Sequence, residues 1–259
     1  MKRKITSVFV FVISIFCSGA FAQSQISQAA VAMPDSYSAD VAANILKQGG
    51  NAIDAAIAAQ FTLAVTLPEA GNVGGGGFML IHKDGQLDFL DYREQAPLKA
   101  HRDMYLDDSG EVIKGKSLFG ALSAGVPGTV DGMWQAHKKY GVLPWKVLLQ
   151  PAIDLALEGF VVHPKLAKNI DNIIKYYDKN QLDVNLADYF SIAEANKLFK
   201  QPELAKTLVR IRDQGREGFY QGKTAELLVD FMEKHGGIIS HQDLTSYRAK
   251  WRQPLQSDW

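Results

Sequence analysis

Apolar residues near the start of the globular region are spaced as on one face of an α-helix. They are Val41, Ile45 and Leu46. Ser38 precedes them and is a residue type that caps helix N-termini, while Gly49 and Gly50 allow the left-handed backbone that ends many helices. The pattern predicts a short helix that is capped by Ser38 and closed by the two glycines.

A second helix follows, and it has almost no polar face. Asn51 is expected to cap it, with Asp54 three residues later. Nearly every position between Ile53 and Val65 is apolar, and Pro68 is expected to end the helix. Because a helix that is apolar all round is buried on all sides, this one should lie in the core.

Glycine-rich residues 71–77 lead into a short apolar run, Phe78 to His82, which we interpret as a buried strand. Lys83-Asp84-Gly85 signals a tight turn. Residues 87–91 then alternate between apolar and acidic side chains, as a returning strand does. The two strands are predicted to form a hairpin.

Helical patterns dominate the rest of the chain. Together with the predicted hairpin, they make α/β the predicted fold class. Prolines that suit a first helical turn are Pro127, Pro144 and Pro151. Glycines that suit helix ends are Gly141, Gly159 and Gly236. The pattern is weak and polar from 170 to 200. Residues 248–259 resemble a strand without a partner, which we interpret as the mark of a partial sequence.

Residues 1–22 have the pattern of a cleavable secretory signal. Lys2, Arg3 and Lys4 precede an apolar run, and Ala20-Phe21-Ala22 supplies the small-residue cleavage site. An uncleaved anchor is the alternative. The remaining residues 23–259 contain no apolar stretch long enough to span a bilayer, so we expect a secreted or periplasmic protein without a membrane anchor after signal cleavage.

Composition narrows the chemistry further. The chain has 28 basic and 28 acidic residues without a basic cluster, which argues against a nucleic-acid partner. Its hydrophobic content of 47% is typical of a globular protein. Cys17 is the only cysteine and lies within the predicted signal, so the mature chain is expected to have neither a disulfide nor a cysteine nucleophile.

Two candidate motifs have an ordinary structural alternative. The run Gly74 to Gly77 matches no nucleotide-binding spacing and leads into a strand, which favours close packing over a phosphate cradle. Arg93 and Glu94 follow the second predicted strand, where a guanidinium can hold a carboxylate through two parallel hydrogen bonds. From spacing alone, a solvated surface pair is favoured over that role.

No metal site or cofactor is predicted. The histidines considered lack partners at ligand spacing and are interpreted as structural; they are His82, His137 and His163. No G-x-S-x-G motif is present, so a serine hydrolase has no support.

Several blocks, taken in order, resemble the γ-glutamyltransferase (glutathione hydrolase) family. They are residues 45–59, 67–80, 91–97, 102–107 and 125–130, with shorter matches at 143–145, 151–160 and 243–247. The resemblance identifies residues 23–259 as the large-subunit part of a precursor, truncated before the small subunit. It implies a layered α-β-β-α fold of the N-terminal nucleophile hydrolase class, here incomplete.

The resemblance also implies residue roles. In that family a threonine at the start of the small subunit forms a γ-glutamyl ester, with its own amino group as base. Arg93, together with Glu94, is implied to bind the α-carboxylate of the γ-glutamyl group. Asp35 and Asp131 depart from the family pattern, and neither is expected to touch this site.

By the same resemblance, no catalytic residue lies in this chain. The nucleophile belongs to the second half of the precursor, and four threonines lack the required context: Thr129, Thr207, Thr224 and Thr245. The chain alone is therefore expected to be inactive.

The implied function is cleavage of the γ-glutamyl amide of glutathione and similar small molecules, with transfer to water or to an amino-acid or peptide acceptor. The implied partner is the small subunit of the same precursor. A cephalosporin-type acylase on the same fold and a non-catalytic, truncated scaffold or binding protein are the alternatives.

Overall fold

The computed structural model describes residues 29–182 and 184–257. In chain order, its elements are α1 (Ser36–Lys47), α2 (Ala52–Thr66), β1 (Phe78–Lys83), β2 (Gln86–Asp91), α3 (Thr129–Tyr140), α4 (Trp145–Glu158), β3 (Phe160–Val161), α5 (Pro164–Lys179), α6 (Leu186–Phe190), β4 (Leu198–Phe199), α7 (Pro202–Gln214), α8 (Glu217–Tyr220), α9 (Gly222–Lys234), α10 (His241–Ser246) and β5 (Lys250–Arg252). The predicted signal, residues 1–22, lies outside the described residues.

Helix α1 begins three residues earlier than the sequence predicts. Its N-cap is Asp35, whose Oδ1 accepts a hydrogen bond from Ser38 N at 2.7 Å, so the prediction of Ser38 as the cap was wrong. Ser38 instead lies in the first turn of the helix, where its hydroxyl donates to Asp35 O at 3.2 Å. The end of the helix is as predicted, with Gly49 at a φ of 89°.

Helix α2 is the central core element. Asn51 and Asp54 form the predicted reciprocal cap, in which each side chain accepts from the other residue's backbone N–H. The Asp54 carboxylate also accepts from Val142 N and Leu143 N, which ties the start of α2 to the loop between α3 and α4. Most of α2 is buried, as its apolar pattern predicts.

The predicted hairpin is confirmed, and a third strand extends it. Strands β1, β2 and β5 form an antiparallel sheet in that order, with Leu80 opposite Phe89 and Phe89 opposite Arg252. Residues 250–252 therefore have a partner strand, so the expectation of an unpaired end segment was wrong. Asp84 and Gly85 at the hairpin turn both have positive φ, as a type I′ turn requires.

Strand β1 is not the buried strand that its apolar sequence predicts. Phe78 is 53% exposed and Leu80 is 65% exposed, whereas Ile81 on the opposite face is buried. One face of the sheet packs on the helical core and the other is open in this chain. The apolar composition of β1 indicates that both faces of the strand suit burial. It does not indicate which part of a protein covers each face.

The three prolines predicted in first helical turns are a further departure. Pro127 precedes Gly128, the N-cap of α3, and Pro144 is the N-cap of α4. Pro151 lies inside α4. The flanking residues Leu148, Leu149, Ala152 and Ile153 are fully buried, and this packing maintains the helix through the proline. Gly141 and Gly159 end α3 and α4 as predicted. In the region of weak pattern, the structure has α5, α6 and β4.

None of the helices in the described part of the chain has the length and apolar character that crossing a membrane requires.

Candidate functional site

The glycine-rich loop before β1 is held against the start of α3. Asn72 Oδ1 accepts hydrogen bonds from Gly75 N at 2.9 Å and from Thr129 Oγ1 at 2.6 Å. Gly75 O accepts from Gly128 N at 2.7 Å and Thr129 N at 3.0 Å. The first amides of α3 are thus occupied by the loop's own carbonyl, which supports the packing interpretation of the glycines.

Two glycines of this loop lie directly beside the segment that follows β2 and contains Arg93. Gly77 and Tyr92 exchange backbone hydrogen bonds at 3.0 and 3.3 Å, which extends the β1–β2 pairing beyond the strand ends. A Cβ on Gly76 would lie 2.6 Å from Tyr92 O and 2.8 Å from Glu94 N. The absence of a side chain at Gly76 therefore permits the main chain at Tyr92–Glu94 to adopt its observed course.

Arg93 lies just beyond the end of β2. Its amide donates to Asp91 Oδ1 at 3.0 Å, and its carbonyl accepts from Tyr247 Oη at 2.8 Å. The guanidinium is 69% exposed, and its Nε lies 3.4 Å from Glu94 Oε2. The backbone of Arg93 is thus fixed on both sides while its side chain extends into solvent.

Glu94 is packed more tightly than its neighbour. Its carboxylate lies over Gly76, and its Cβ would lie 2.8 Å from a Cβ on Gly125. The next residue, Gln95, pairs with Val126 through hydrogen bonds of 2.8 and 3.2 Å. Glu94 therefore occupies a slot between two glycines, from which it restricts the directions that the Arg93 side chain can take.

Asp91 does not compete for the Arg93 side chain. Arg252 Nε on β5 donates to Asp91 Oδ2 at 2.7 Å. Burial by itself raises the pKa of the Asp91 carboxyl, but hydrogen bonds from the Arg93 amide and from Arg252 outweigh it and leave the pKa below its usual value. Asp91 is therefore ionised and already paired with Arg252, and the ion pair of the Arg93 guanidinium is with Glu94.

A buried polar network lies behind Arg93, and sequence reasoning missed it. Arg216 Nε lies 2.6 Å from Asp131 Oδ1, and both side chains are almost completely buried. Arg216 Nη2 donates to Tyr247 O at 2.7 Å. Asp131 does not contact Arg93, as expected, but Arg216 and Tyr247 connect them. The available sequence signal was Asp131, a charged residue between the apolar Val130 and Met133. An acidic residue in such a setting indicates a buried ion pair.

The histidines have structural contacts or lie in solvent. His137 Nε2 is 2.8 Å from Leu143 O, and His163 Nδ1 caps α5 by accepting from Lys165 N. His82 lies exposed on β1. Within the described ranges, no cluster of three or more potential ligands is arranged for a metal ion.

The threonine hydroxyls are engaged locally. Thr129 donates to Asn72, Thr224 donates to Gly218 O at 2.7 Å, and Thr245 donates to His241 O at 2.9 Å. Thr207 donates to Glu203 O within its own helix. Each of the four hydroxyls thus has a nearby hydrogen-bond acceptor, and their exclusion as nucleophiles stays a prediction.

Arg93 and Glu94 do not line the cavity beside α1. This space of about 620 Å³ lies between the start of α1 and the segment 160–166. The site at Arg93 is an open surface on this chain, bounded by the glycine-rich loop and the 125–128 segment.

Known proteins resemble this chain in sequence and in structure. The family described as Gamma-glutamyltranspeptidase matches residues 38–259. A glutathione hydrolase proenzyme of Pseudomonas aeruginosa is 54% identical over 242 residues, which are 93% of this chain and 43% of that protein. The corresponding proenzyme of Escherichia coli is 43% identical, over 90% of this chain and 40% of that protein.

Among solved structures, the gamma-glutamyltranspeptidase of Pseudomonas nitroreducens complexed with L-DON aligns with a TM-score of 0.87 and 52% identity, over 90% of this chain and 69% of that chain. A cephalosporin acylase of Bacillus halodurans aligns with a TM-score of 0.76 at 30% identity, over 85% of this chain and 42% of that chain. The fold is therefore the incomplete layered α/β fold of the N-terminal nucleophile hydrolases, as the sequence predicts.

The chain spans less than half the length of the curated relatives that it matches. Its match to the family nevertheless runs from Ser38 through the last described strand. This chain belongs to the gamma-glutamyltranspeptidase family.

Proposed function

We propose that the whole protein is a glutathione hydrolase and γ-glutamyltransferase. In this proposal it cleaves the γ-glutamyl amide of glutathione or a related compound and transfers the γ-glutamyl group to water or to an amino-acid or peptide acceptor. The observation that carries the proposal is Arg93, whose backbone is fixed on both sides while its side chain extends into solvent beside one half-buried partner, Glu94.

Arg93 is proposed to bind the α-carboxylate of the γ-glutamyl group. A guanidinium offers two parallel N–H donors to a carboxylate, and charge-assisted bonds of this kind are stronger than neutral ones. Glu94 Oε2 lies beside Nε at 3.4 Å, an ion-pair contact that does not engage the two terminal nitrogens, which we propose bind the ligand. Because Asp91 is paired with Arg252, Glu94 is the carboxylate that shares the Arg93 guanidinium with the ligand in this proposal.

The reaction itself is proposed to use a threonine outside this chain. That residue, at the start of the small subunit, would attack the γ-carbonyl with its own amino group as base and form an ester that water or an acceptor amine resolves. Neither a metal nor a cofactor enters this scheme. Residues 23–259 would supply the carboxylate site and part of the scaffold, and would be inactive alone.

The open sheet face supports a small-subunit partner. Four side chains on that face form what we call the apolar sheet face: Phe78, Leu80, Leu87 and Phe89. Phe78 and Phe89 stack with ring centroids 5.7 Å apart. Because a contiguous apolar surface of this kind is rarely left in water, we propose that the remainder of the precursor covers it.

Export is also proposed, from the pattern of residues 1–22. Cleavage there would leave a chain that begins at Gln23 and acts outside the cytoplasm.

The proposal is tested on the protein purified from its native gene by intact mass and by hydrolysis of γ-glutamyl-p-nitroanilide. We expect two polypeptides, the second beginning with threonine, and turnover that L-glutamate inhibits. A single inactive species would contradict the proposal. Faster hydrolysis of a glutaryl amide than of the γ-glutamyl amide would favour a cephalosporin-type acylase. That activity is the second candidate because a cephalosporin acylase of Bacillus halodurans is similar in structure.

A further inference from the structure

A hydroxyl group that no part of the proposed reaction uses lies against the main chain of Arg93. Tyr247 follows α10 and is 1% exposed, and its hydroxyl donates to Arg93 O at 2.8 Å. The two residues are separated by 154 positions in the sequence. Their contact is therefore a tertiary one, and it requires the segment after α10 to be placed accurately.

The surroundings of the hydroxyl are built for close approach. Tyr247 Oη and Tyr92 O both occupy the space that a Cβ on Gly128 would need. Only glycine at position 128 allows the phenol, the strand and the start of α3 to meet there. Burial, with smaller effects from the Asp131, Asp91 and Glu94 carboxylates, raises the pKa of Tyr247, so the phenol remains a donor throughout the physiological range.

The buried ion pair anchors the main chain that carries Tyr247. Arg216 donates to Tyr247 O at 2.7 Å, while Asp131 Oδ2 accepts from Ala249 N at 2.6 Å. The main chain is thus fixed at Tyr247 and at Ala249. Tyr220 stacks on the Tyr247 ring with centroids 5.8 Å apart and planes 5° apart, and Arg216 lies 4.4 Å from the Tyr220 ring centroid.

We propose that Tyr247 is a positioning residue for Arg93: Arg216 and Asp131 anchor the main chain at Tyr247 and Ala249, and the Tyr247 hydroxyl in turn fixes the main chain from which the guanidinium reaches the substrate. The consequence for substrate binding rests on the proposed function of Arg93, whereas the positioning of the main chain does not. A stacked core tyrosine without this role would contribute only to stability.

Hydrogen exchange, read by mass spectrometry, tests the positioning directly. In the Tyr247→Phe variant we expect faster exchange in peptides that cover residues 92–96, and unchanged exchange within α2. The matched control is Tyr105→Phe, which removes a hydroxyl that donates to a different carbonyl, Leu122 O, at 3.3 Å. Arg216→Lys, which loses the bond to Tyr247 O, is expected to have a weaker effect in the same direction and replaces Tyr247→Phe if that variant does not fold.

Kinetics on the whole protein then separate the inference from the proposed function. Tyr247→Phe should raise KM for γ-glutamyl-p-nitroanilide about two- to tenfold with little change in kcat, the range expected for one hydrogen bond. Unchanged exchange at 92–96 would overturn the inference, as would an unchanged KM where Arg93→Ala raises it. If Arg93→Ala has no effect on kinetics, the proposed function fails, and the exchange result alone decides whether Tyr247 positions this segment.

Discussion

The Arg216 guanidinium lies 2.6 Å from the Asp131 carboxylate, and the two side chains are 7% and 0% exposed. A buried pair of this kind leaves a strongly uncompensated charge when one partner is removed. Asp131→Ala is therefore expected to lower the free energy of unfolding by about 3–5 kcal/mol. Denaturant unfolding of the chain measures this value.

The double variant Asp131→Ala with Arg216→Met tests whether the loss of stability comes from the unpaired Arg216 charge. It should recover a large part of the lost stability because no unpaired charge remains. Glu203→Ala is the surface control, since its pair with Lys206 is 2.6 Å long but exposed on both sides, and it should cost about 1 kcal/mol or less. Equal losses at Asp131 and Glu203 would show that burial of the pair has no energetic weight.

Gly128 should tolerate no side chain. A Cβ there would overlap Tyr92 O and the Tyr247 hydroxyl, so Gly128→Ala is expected to lower the free energy of unfolding by about 1–3 kcal/mol or more. Gly74→Ala is the matched control, because nothing lies within 4 Å of a Cβ at that exposed position. Thermal unfolding compares the two; a similar melting temperature for both variants would contradict the close packing described at Gly128.

Alkaline pH should weaken the fold through its buried phenols. Burial raises the pKa values of Tyr92, Tyr220 and Tyr247, with the Asp131 carboxylate adding to the effect at the last two. Because the folded pKa exceeds the unfolded value of about 10, the stabilisation is complete below pH 10 and is lost as pH rises through the folded pKa.

Absorbance of tyrosinate follows this titration. Tyr247→Phe should remove one of the phenols that ionise above pH 10, and the stability of that variant should fall less steeply with pH than that of the parent chain. If the tyrosinate absorbance of Tyr247→Phe rises above pH 10 as it does in the parent chain, the pKa of Tyr247 is not raised by burial.

The apolar sheet face should matter for assembly but not for the folding of this chain. Leu80→Lys places a charge on a side chain that is 65% exposed, so the free energy of unfolding should change by about 0.5 kcal/mol or less. In the whole protein the same change should reduce recovery of the two-subunit complex. Leu98→Lys is the control, at 64% exposure away from the sheet, and should leave recovery unchanged.

Local signals predicted much of the fold. The reciprocal cap of Asn51 and Asp54, the hairpin turn at Asp84-Gly85 and the glycine at the end of α1 follow from short-range chemistry, which the sequence displays directly. Pro151 misled the prediction because tertiary packing of its flanking residues outweighs the local preference. The pairing of β5 with β2 joins residues about 160 positions apart, and no local pattern reveals it.

In the candidate site, too, local features were predictable from the sequence and long-range contacts were not. Arg93 was recognisable by its position after a strand, although only the family resemblance favoured a ligand role over a solvated pair. The support behind it, Tyr247 with Arg216 and Asp131, is assembled from three distant segments. Sequence patterns place such residues in separate helices and cannot show that they meet.

The most direct test of the account compares Arg93→Ala with the parent in the whole protein, using γ-glutamyl-p-nitroanilide and its analogue with the α-carboxylate converted to a carboxamide. The account predicts that the parent strongly prefers the carboxylate and that Arg93→Ala lowers kcat/KM for it by about 10- to 100-fold, as loss of a charged hydrogen bond implies, while the carboxamide is affected little. Arg93→Lys should recover part of the preference. An Arg93→Ala enzyme that keeps the parent's preference for the carboxylate would contradict the assignment.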